Sequence, residues 1–194
     1  RAPTSSKISA VVSQVIDNRA SGKRKLIFCQ FRREIQEIKR RLTAEGMRCA
    51  FMDGSISKKE RISVLAGPLA VKDWSEILMC KSLQPKCELI SKLIDQWLTP
   101  EVLIVQIQTA CEGLNLQHFA EIYFTTPHWN PAVEDQAIAR SHRIGQKQDV
   151  DIYRFITTFS ARDKDPTDVR KMSLDQYCER VQDVKRDADK LLQY

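Results

Sequence analysis

The sequence predicts an α/β fold in which helices cover both faces of a mostly parallel sheet. Short apolar runs rich in strand-forming residues alternate with segments whose apolar residues recur every three or four positions. Strands that alternate with helices imply right-handed crossovers and parallel pairing. The strand-like runs are nearly continuous in apolar residues, as expected for strands buried on both sides. We therefore predict a three-layer lobe with a helical insertion and a C-terminal helix.

The first five elements are a helix, a strand, a helix, a strand and a helix. They are predicted, in order, at residues 8–16, 25–30, 35–42 and 47–52, followed after the Asp53-Gly54 turn by a helix opened by the capping-box pair Ser57 and Glu60. Ser5 or Ser6 can cap the first helix. Gly22 and Gly46 are expected to end the first two helices, because glycine suits the position after a helix.

Residues 67–100 interrupt this alternation and are interpreted as a helical insertion. The core resumes with strands at 102–107, 122–124 and 150–156, and Pro131 opens a helix before the last strand. After a polar loop comes a helix with an apolar stripe formed by Leu174, Tyr177, Val181, Val184, Ala188 and Leu191. The predicted domains are therefore a lobe at 1–159 and a helical extension at 160–194.

Composition narrows the possible functions. Hydrophobic residues make up 42% of the 194 residues, and no apolar run approaches the roughly 18 residues that span a bilayer, so no membrane partner is expected. The net charge of +6 favours a polyanionic partner, although acidic residues are interspersed. Six cysteines include no C-x-x-C pair, so we predict no metal site and an intracellular protein with reduced thiols. The chain begins without Met and is expected to be cut from a larger protein.

Gln136, Arg140 and Arg143 are spaced to lie on one face of a helix that Gly145 would end. A guanidinium stays charged at any relevant pH and can grip a phosphate with two hydrogen bonds. Two such groups at one helix end suit the charge that develops during phosphoryl transfer. A solvated basic helix is the alternative that this spacing alone leaves open.

The letters around these arginines resemble a known family. The segments are QAIARSHRIGQ at 136–146, WNPAVEDQA at 129–137, GLNL at 113–116, KLIFCQF at 25–31 and DGS at 53–55 with Arg61 downstream. QAIARSHRIGQ resembles motif VI of the C-terminal helicase lobe of SNF2-family ATPases, GLNL resembles motif V, KLIFCQF motif IV, and DGS with Arg61 motif IVa. WNPAVEDQA is similar to a further signature of the same family, and the resemblance covers about residues 5–156. QIQTACEGLNLQ and TTPHWNP are similar to divergent SNF2 proteins of large DNA viruses.

The resemblance implies a RecA-like lobe that works on a nucleotide held by another lobe. Arg140 and Arg143 would be the catalytic arginine fingers, and Gln136, Gly113 and Asn115 would contact ATP, bound with Mg²⁺ mainly by the missing N-terminal lobe. Relatives often carry an acidic residue where this chain has Thr126, and two glycines within the segment that reads Ala-Cys-Glu at 110–112. Those differences affect details of nucleotide contact.

The resemblance also implies contact with the backbone of duplex DNA. The DNA-binding candidates are Gln30, Arg61, Gln108, Thr109 and Trp129. For Arg61 a plain solvated face is an equal alternative, and Trp129 either packs under the motif VI helix or forms part of the coupling surface. The expected location is the nucleus or a viral replication site. Relatives carry a C-terminal helix that braces one lobe against the other, and an ordinary packing helix is the alternative for residues 174–191.

The parts that bind the nucleotide are missing from this sequence. Gly22-Lys23 precedes a strand and is followed by Arg24, so it is no P-loop, and no acidic Mg²⁺-binding strand end is present. We therefore expect this chain to hydrolyse no ATP alone. The predicted function is the second motor lobe of a DNA-dependent ATPase and translocase. The alternatives are a lobe of a strand-separating helicase and a non-catalytic scaffold lobe.

Overall fold

The computed structural model describes residues 5–56, 64, 100–110, 114–158 and 172–191, which form a parallel sheet with helices on both faces. The elements are α1 (Ser6–Asp17), β1 (Lys25–Cys29), α2 (Arg32–Ala44), β2 (Cys49–Met52), β3 (Val102–Gln106), α3 (Ile107–Ala110), β4 (Glu121–Phe124), α4 (Pro131–Ser141), β5 (Asp151–Arg154) and α5 (Leu174–Leu191). This arrangement confirms the predicted α/β class and the parallel sheet.

The five strands lie in the order β2-β3-β1-β4-β5, and every neighbouring pair is parallel. β1 is the central strand, with Lys25 in register with Val102 of β3 on one side and Glu121 of β4 on the other. Every residue of β1 and β4 is buried. This burial explains why their sequences are almost continuously apolar instead of alternating.

Two apolar cores lie on opposite faces of the sheet, because successive side chains of a strand point in opposite directions. The first core contains Val11, Val15, Ile35, Ile38 and Leu42 of α1 and α2, packed on Ile27, Ile104 and Tyr123. The second contains Ala137 of α4 together with Ile107, Leu116 and Phe119, packed on Leu26, Phe28, Leu103 and Phe124. The helix that carries Arg140 is therefore seated on the second face.

Some predicted boundaries were wrong by a few residues. α1 ends at Asp17, and a 3₁₀ turn at Asn18–Ser21 precedes Gly22, whose φ of +67° ends the segment. Ser5 occupies the N-cap position of α1, but its side chain makes no capping hydrogen bond. β3 ends at Gln106 because Ile107 begins α3 as a buried helical residue. A short apolar run does not distinguish these two environments.

α5 forms where a helix was predicted, but it does not bury the predicted apolar stripe. Leu174 and Val184 are 74% and 64% exposed, whereas Asp175 and Gln182 are buried. The contacts of this helix with the rest of the lobe are therefore largely polar. Helical period showed that one face is apolar, but it could not show which face meets the lobe.

A polar cluster is buried at the N-terminal edge of the sheet. Lys25 and Glu121 are 2% and 1% exposed, and their Nζ and Oε2 atoms are 3.2 Å apart. Glu121 also accepts hydrogen bonds from the hydroxyls of Ser21 at 2.5 Å and Tyr123 at 2.6 Å. Burial, and then the hydrogen bond to Glu121, raise the pKa of Tyr123 well above its usual range. These bonds compensate the desolvation of the two charges.

Cys29 is buried and Cys49 is half-buried, and both are free thiols. Burial raises the pKa of Cys29 well above its ordinary value and that of Cys49 to about 11, so both stay protonated at neutral pH. The predicted insertion at 67–100, the capping box of Ser57 and Glu60, the loop at 160–167 and three cysteines, Cys80, Cys87 and Cys111, lie outside the described residues. No described helix is both long and apolar enough to cross a membrane.

Candidate nucleotide and DNA interface

The C-terminal edge of the sheet carries several of the predicted contact residues. Gln30 follows β1, Asp53 follows β2, and Gln108 and Thr109 lie in α3 directly after β3. In open α/β sheets, ligands bind in the crevice outside the carboxyl ends of the strands. This edge is therefore where nucleic acid or nucleotide contacts are expected.

Glu34 fixes the turn between β1 and α2. Its Oε2 accepts hydrogen bonds from the backbone N–H groups of Gln30 and Phe31, both at 3.1 Å, and from the hydroxyl of Thr125 at 3.4 Å. A glutamate at the third helical position satisfies N–H groups that the helix itself leaves without partners. The half-buried Gln30 is thus held at the sheet edge by its backbone.

Asp53 organises the DGS turn after β2. Its Oδ1 accepts hydrogen bonds from the N–H of Ser55 at 2.9 Å and from the hydroxyl of Ser55 at 2.5 Å. The Nε of Arg32 lies 3.3 Å from Oδ2. The Ser55 hydroxyl, and to a smaller extent Arg32, lower the pKa of Asp53 despite its burial. Arg61, the candidate downstream of this turn, lies outside the described residues.

The two polar candidates on α3 differ in exposure. The side chain of Gln108 is exposed, whereas that of Thr109 is buried. Gln108 is therefore available to a backbone phosphate at this edge. DNA contact by Thr109 stays a prediction, and its hydroxyl does not face solvent in this structure.

The helix that carries Arg140 is shorter than predicted. Asn130 caps it by accepting a hydrogen bond from the N–H of Ala132 at 3.2 Å, and Pro131 occupies the first helical position, as predicted. α4 ends at Ser141, so Arg143 lies beyond its C-terminus. The expectation of one continuous helical stripe was therefore wrong. Gln136 is exposed and Arg140 is half-buried on the helix itself.

The turn after α4 is tied to the GLNL segment by two side-chain amides. Gln146 Nε2 donates to the carbonyl of Gln117 at 2.8 Å, and Gln117 Nε2 donates to the carbonyl of Ile144 at 2.9 Å. The N–H of Leu116 also donates to the carbonyl of Arg140 at 3.2 Å. We call the two side-chain hydrogen bonds of Gln117 and Gln146 the glutamine clamp. It places the motif V and motif VI segments side by side.

Asn115 and Gly145 shape the two sides of the clamp. Asn115 is exposed, and its Oδ1 accepts a hydrogen bond from the N–H of Gln117 at 3.3 Å. Gly145 has a φ of +102°, a conformation that side chains rarely adopt. Gly113, the third nucleotide-contact candidate after Gln136 and Asn115, lies outside the described residues.

Arg143 is exposed in the turn between Ser141 and Gln146. Its backbone is held at both ends, because its N–H donates to the carbonyl of Ser141 at 3.2 Å and its carbonyl accepts from the N–H of Gln146 at 2.9 Å. Within the described ranges no acidic side chain forms a salt bridge with it. A guanidinium in this setting presents its full charge outward.

Comparisons with known proteins identify the lobe. The family model of the helicase conserved C-terminal domain matches residues 6–79. DNA repair protein RAD5 of Saccharomyces cerevisiae is 32% identical over 169 residues, which is 84% of this chain. An Arabidopsis thaliana protein related to the SWI/SNF regulators of chromatin (subfamily A member 3-like 1) is 31% identical over 163 residues, 82% of this chain. The chain belongs to the SNF2 family, as a C-terminal helicase lobe.

The matched region is a small part of those relatives. The chain spans 12% of the yeast protein and 16% of the plant protein. A crystal structure of the C-terminal part of the Fun30 ATPase domain matches with a TM-score of 0.58, covering 96% of this chain and 55% of that one at 19% identity. This likeness confirms the RecA-like fold of the SNF2 lobe.

Glu134 has a buried structural role in this SNF2 lobe that was not predicted from the sequence. Its side chain is 0% exposed. Oε1 accepts hydrogen bonds from the N–H of His128 at 2.7 Å and from Gln182 Nε2 at 2.8 Å, and Oε2 accepts from Arg154 Nε at 3.1 Å. The signal in the sequence was spacing: Glu134 shares a helical face with Ala137 and Ser141, which are buried, and a buried carboxylate requires hydrogen-bond donors.

Trp129 lies on the surface of the SNF2 lobe. Its side chain is 59% exposed, so the alternative of a core tryptophan under α4 is wrong. Lys185 Nζ of α5 lies 4.2 Å from the ring centroid and donates to the carbonyl of Trp129 at 3.2 Å. Thr126, at the position where relatives often have an acid, accepts a hydrogen bond from Lys7 at 3.2 Å. Trp129 therefore contacts α5, and Thr126 contacts α1.

Proposed function

We propose that this chain is the second motor lobe of a DNA-dependent ATPase that translocates along duplex DNA. In this proposal Arg140 and Arg143 act as arginine fingers on ATP, which the N-terminal lobe of the same protein binds together with Mg²⁺. Gln136, Gly113 and Asn115 complete the contact with the nucleotide. The two lobes close when ATP binds and open after it is hydrolysed, and each cycle moves the DNA backbone by a small step.

The observation that carries the proposal is the position of Arg143. It lies just beyond α4, in a turn whose backbone the glutamine clamp connects to the segment containing Asn115. It is exposed and has no acidic partner in the part of the chain that the structure describes. The guanidinium of Arg143 is planar, permanently charged and exposed, and such a group suits the equatorial oxygens of a transferring phosphoryl group.

The residues of this lobe fit ATP only as the second half of a site. Among the described residues, no three His, Cys, Asp or Glu side chains converge so that they could hold a metal ion. In the proposal the acidic group that holds Mg²⁺ and the phosphate-binding loop come from the N-terminal lobe, because neither motif was found in this sequence. ATP supplies the phosphoanhydride that is cleaved, and this lobe contributes positive charge at Arg140 and Arg143.

For DNA, the supporting observations lie at the C-terminal edge of the sheet. The exposed amide of Gln108 and the half-buried Gln30 are suited to phosphate oxygens, and such contacts read no sequence. Thr109, Arg61 and Trp129 complete the proposed surface. RAD5 is named a DNA repair protein, and a human relative, 30% identical over 162 residues, is named helicase-like transcription factor. We therefore propose a nuclear location, and none of the relatives named above supports a viral one.

The test is Arg143→Ala in the protein that joins this lobe to its nucleotide-binding lobe. We expect kcat for DNA-stimulated ATP hydrolysis to fall by roughly 10³ or more, as for arginine fingers elsewhere. The affinity for ATP should change much less. Arg40→Ala is the matched control, because Arg40 is an exposed arginine of α2 that lies about two turns away from the sheet edge with the DNA-binding candidates. Weaker ATP binding with an unchanged kcat would contradict the finger role.

Two further measurements separate the alternatives. The 194-residue chain alone is expected to show negligible ATPase activity with or without DNA, and turnover that depends on Arg143 in this chain would contradict the two-lobe proposal. Triplex displacement without strand separation is expected for a duplex translocase, whereas unwinding would identify a strand-separating helicase. A scaffold lobe would associate with its N-terminal lobe independently of phosphate analogues.

A further inference from the structure

α5 contacts the start of the arginine-bearing helix through three polar side chains that lie within little more than one helical turn. Gln182 reaches His128 and Glu134, while Lys185 reaches Trp129. The Nη2 atom of Arg186 lies 3.2 Å from Oδ1 of Asp135. All of these partners belong to the first five residues of α4 or to the loop that enters it. The C-terminal helix is therefore fastened to the N-terminal end of the helix on which Arg140 lies.

Gln182 is the buried member of this set. One amide nitrogen, Nε2, donates both of its hydrogens: one to the carbonyl of His128 and one to Glu134 Oε1 at 2.8 Å. The side chain is 5% exposed. Lys185 and Arg186 act nearer to solvent, where a single ion pair or cation–π contact contributes little. Gln182 is therefore the contact whose loss is most costly.

Glu134 transmits that contact to the helix. Its carboxylate is fully buried and accepts three donors, from His128, Gln182 and Arg154. A buried carboxylate that loses one donor must shift towards water or draw its remaining donors to new positions. Glu134 is in the first turn of α4, so either response displaces the helix at its start.

Arg140 lies six residues after Glu134 on the same helix, a separation of about 9 Å along the axis. An α-helix of 11 residues moves largely as a rigid unit, so a tilt at Glu134 is carried to Arg140 and to the turn with Arg143. The glutamine clamp holds the other end of α4. The orientation of the helix is thus defined by Gln182 at one end and by the clamp at the other.

We propose that Gln182 is a positioning residue for the arginine fingers, and that docking of α5 through its amide sets the orientation of α4. The link to hydrolysis rests on the proposed function, whereas the effect on α4 does not. Gln182 touches no reacting atom. It acts by holding the loop at His128 and the carboxylate of Glu134 in one arrangement.

The first experiment measures amide hydrogen exchange of the 194-residue chain, comparing Gln182→Ala and the isosteric Gln182→Glu with the parent. Gln182→Glu brings a second carboxylate next to Glu134 and is expected to release α5 more completely. We expect exchange in α4 to accelerate about tenfold or more, on the scale of a lost hydrogen bond to a charged group. Ala188→Glu is the control, because it adds the same charge at an exposed position of α5.

An increase of exchange confined to α5, with α4 unchanged, would overturn the proposal, and so would variants that match Ala188→Glu in both helices. Global loss of protection in Gln182→Glu would leave Gln182→Ala as the deciding variant, because removal of the amide adds no charge.

The second experiment measures ATP hydrolysis in the two-lobe protein. Gln182→Ala is expected to lower kcat about tenfold with little change in KM for ATP, because ATP is bound mainly by the other lobe. A parallel rise in KM, or an unchanged kcat, would contradict the positioning role. If Arg143→Ala proves harmless in the same assay, the proposed function fails, and the exchange experiment still decides whether Gln182 orients α4.

Discussion

Gln117 and Gln146 each donate a side-chain hydrogen bond to the other's segment. Gln146 Nε2 is 2.8 Å from the carbonyl of Gln117, and Gln117 Nε2 is 2.9 Å from the carbonyl of Ile144. Both bonds are between a side chain and the backbone, so they fix the path of the chain on each side. The turn that presents Arg143 is therefore defined by a residue 26 positions earlier in the sequence.

We expect the two glutamines to act as a unit. Gln117→Ala and Gln146→Ala should each lower the free energy of unfolding by about 1 kcal/mol, since each removes hydrogen bonds to the backbone. In a double-mutant cycle, urea unfolding should show a coupling of at least about 0.5 kcal/mol. Gln148→Ala, an exposed neighbour, should stay within about 0.5 kcal/mol of the parent. Strictly additive single effects would contradict the clamp.

Gly145→Ala tests the backbone of the same turn. A Cβ at this position would meet only the side-chain amide of Gln117, at 3.8 and 4.0 Å, so the cost comes from the φ of +102° and not from collision. We expect a loss of about 1–2 kcal/mol, measured as a lower urea midpoint with an unchanged m-value. Gly54→Ala is the matched control, because Gly54 has no positive φ and open space around it. Equal effects of the two substitutions would refute a conformational cause.

We predict that breaking the buried ion pair of Lys25 and Glu121 strongly lowers the free energy of unfolding. Lys25→Met or Glu121→Leu alone should cost about 3–5 kcal/mol, because each leaves an uncompensated charge in the core. The double variant should recover most of that loss in chemical unfolding. Asp187→Ala breaks an exposed pair with Lys190 and should change stability by less than about 1 kcal/mol. A double variant as unstable as the sum of the singles would show that the pair is not replaceable by apolar packing.

The lowered pKa of Asp175 lets us predict how the docking of α5 depends on pH. Burial tends to raise the pKa of its carboxyl, but hydrogen bonds from Lys7 and from Thr157 outweigh burial and lower the pKa below the ordinary value of 3.8. A carboxyl whose pKa is lower in the folded protein than in the unfolded chain binds its proton less tightly in the folded state. Its stabilising effect is therefore complete above about pH 4 and is lost as the pH falls through the folded-state pKa.

Asp175→Asn should weaken the lobe at neutral pH and flatten the decline of its urea midpoint as the pH falls below about 4. Asp183→Asn, at an exposed position of the same helix, should leave that decline unchanged. An identical acid dependence in Asp175→Asn and the parent would show that another carboxyl is responsible.

The class of fold was predictable because its strands are buried on both sides. The apolar runs of β1 and β3 stand out from the amphipathic period of α2, and each retains its type in the structure. Element ends were less predictable where apolar character continues across a boundary, as at Ile107. The end of α4 was misplaced because the residues after Ser141 have good helical spacing, whereas the backbone follows the hydrogen bonds of the clamp.

The candidate site was predictable where the chemistry is local. Asn130-Pro131 indicated the start of a helix, and this start is confirmed. Arginines near a glycine indicated a phosphate contact, which stays a prediction. Glu134 and Gln182 could not be paired from the sequence, because 48 residues separate them and each is an ordinary polar residue on a helix. Their relation depends on which face of α5 meets the lobe, and that face is selected by long-range polar contacts.

The strand order has a consequence for the way this lobe can be assembled. β1 pairs with β3 and β4, and β2 pairs with β3, so among the described strands β1 and β2 have no common border. The stretch matched by the helicase family model ends at residue 79, before β3 begins. When only that stretch has left the ribosome, β1 and β2 are present but β3, the strand that lies between them, is not. β2 cannot pair with its neighbour in the sheet, and β1 cannot be joined to β2, until residues 102–106 have been synthesised. The native sheet of the amino-terminal half therefore forms only after part of the carboxyl-terminal half is present.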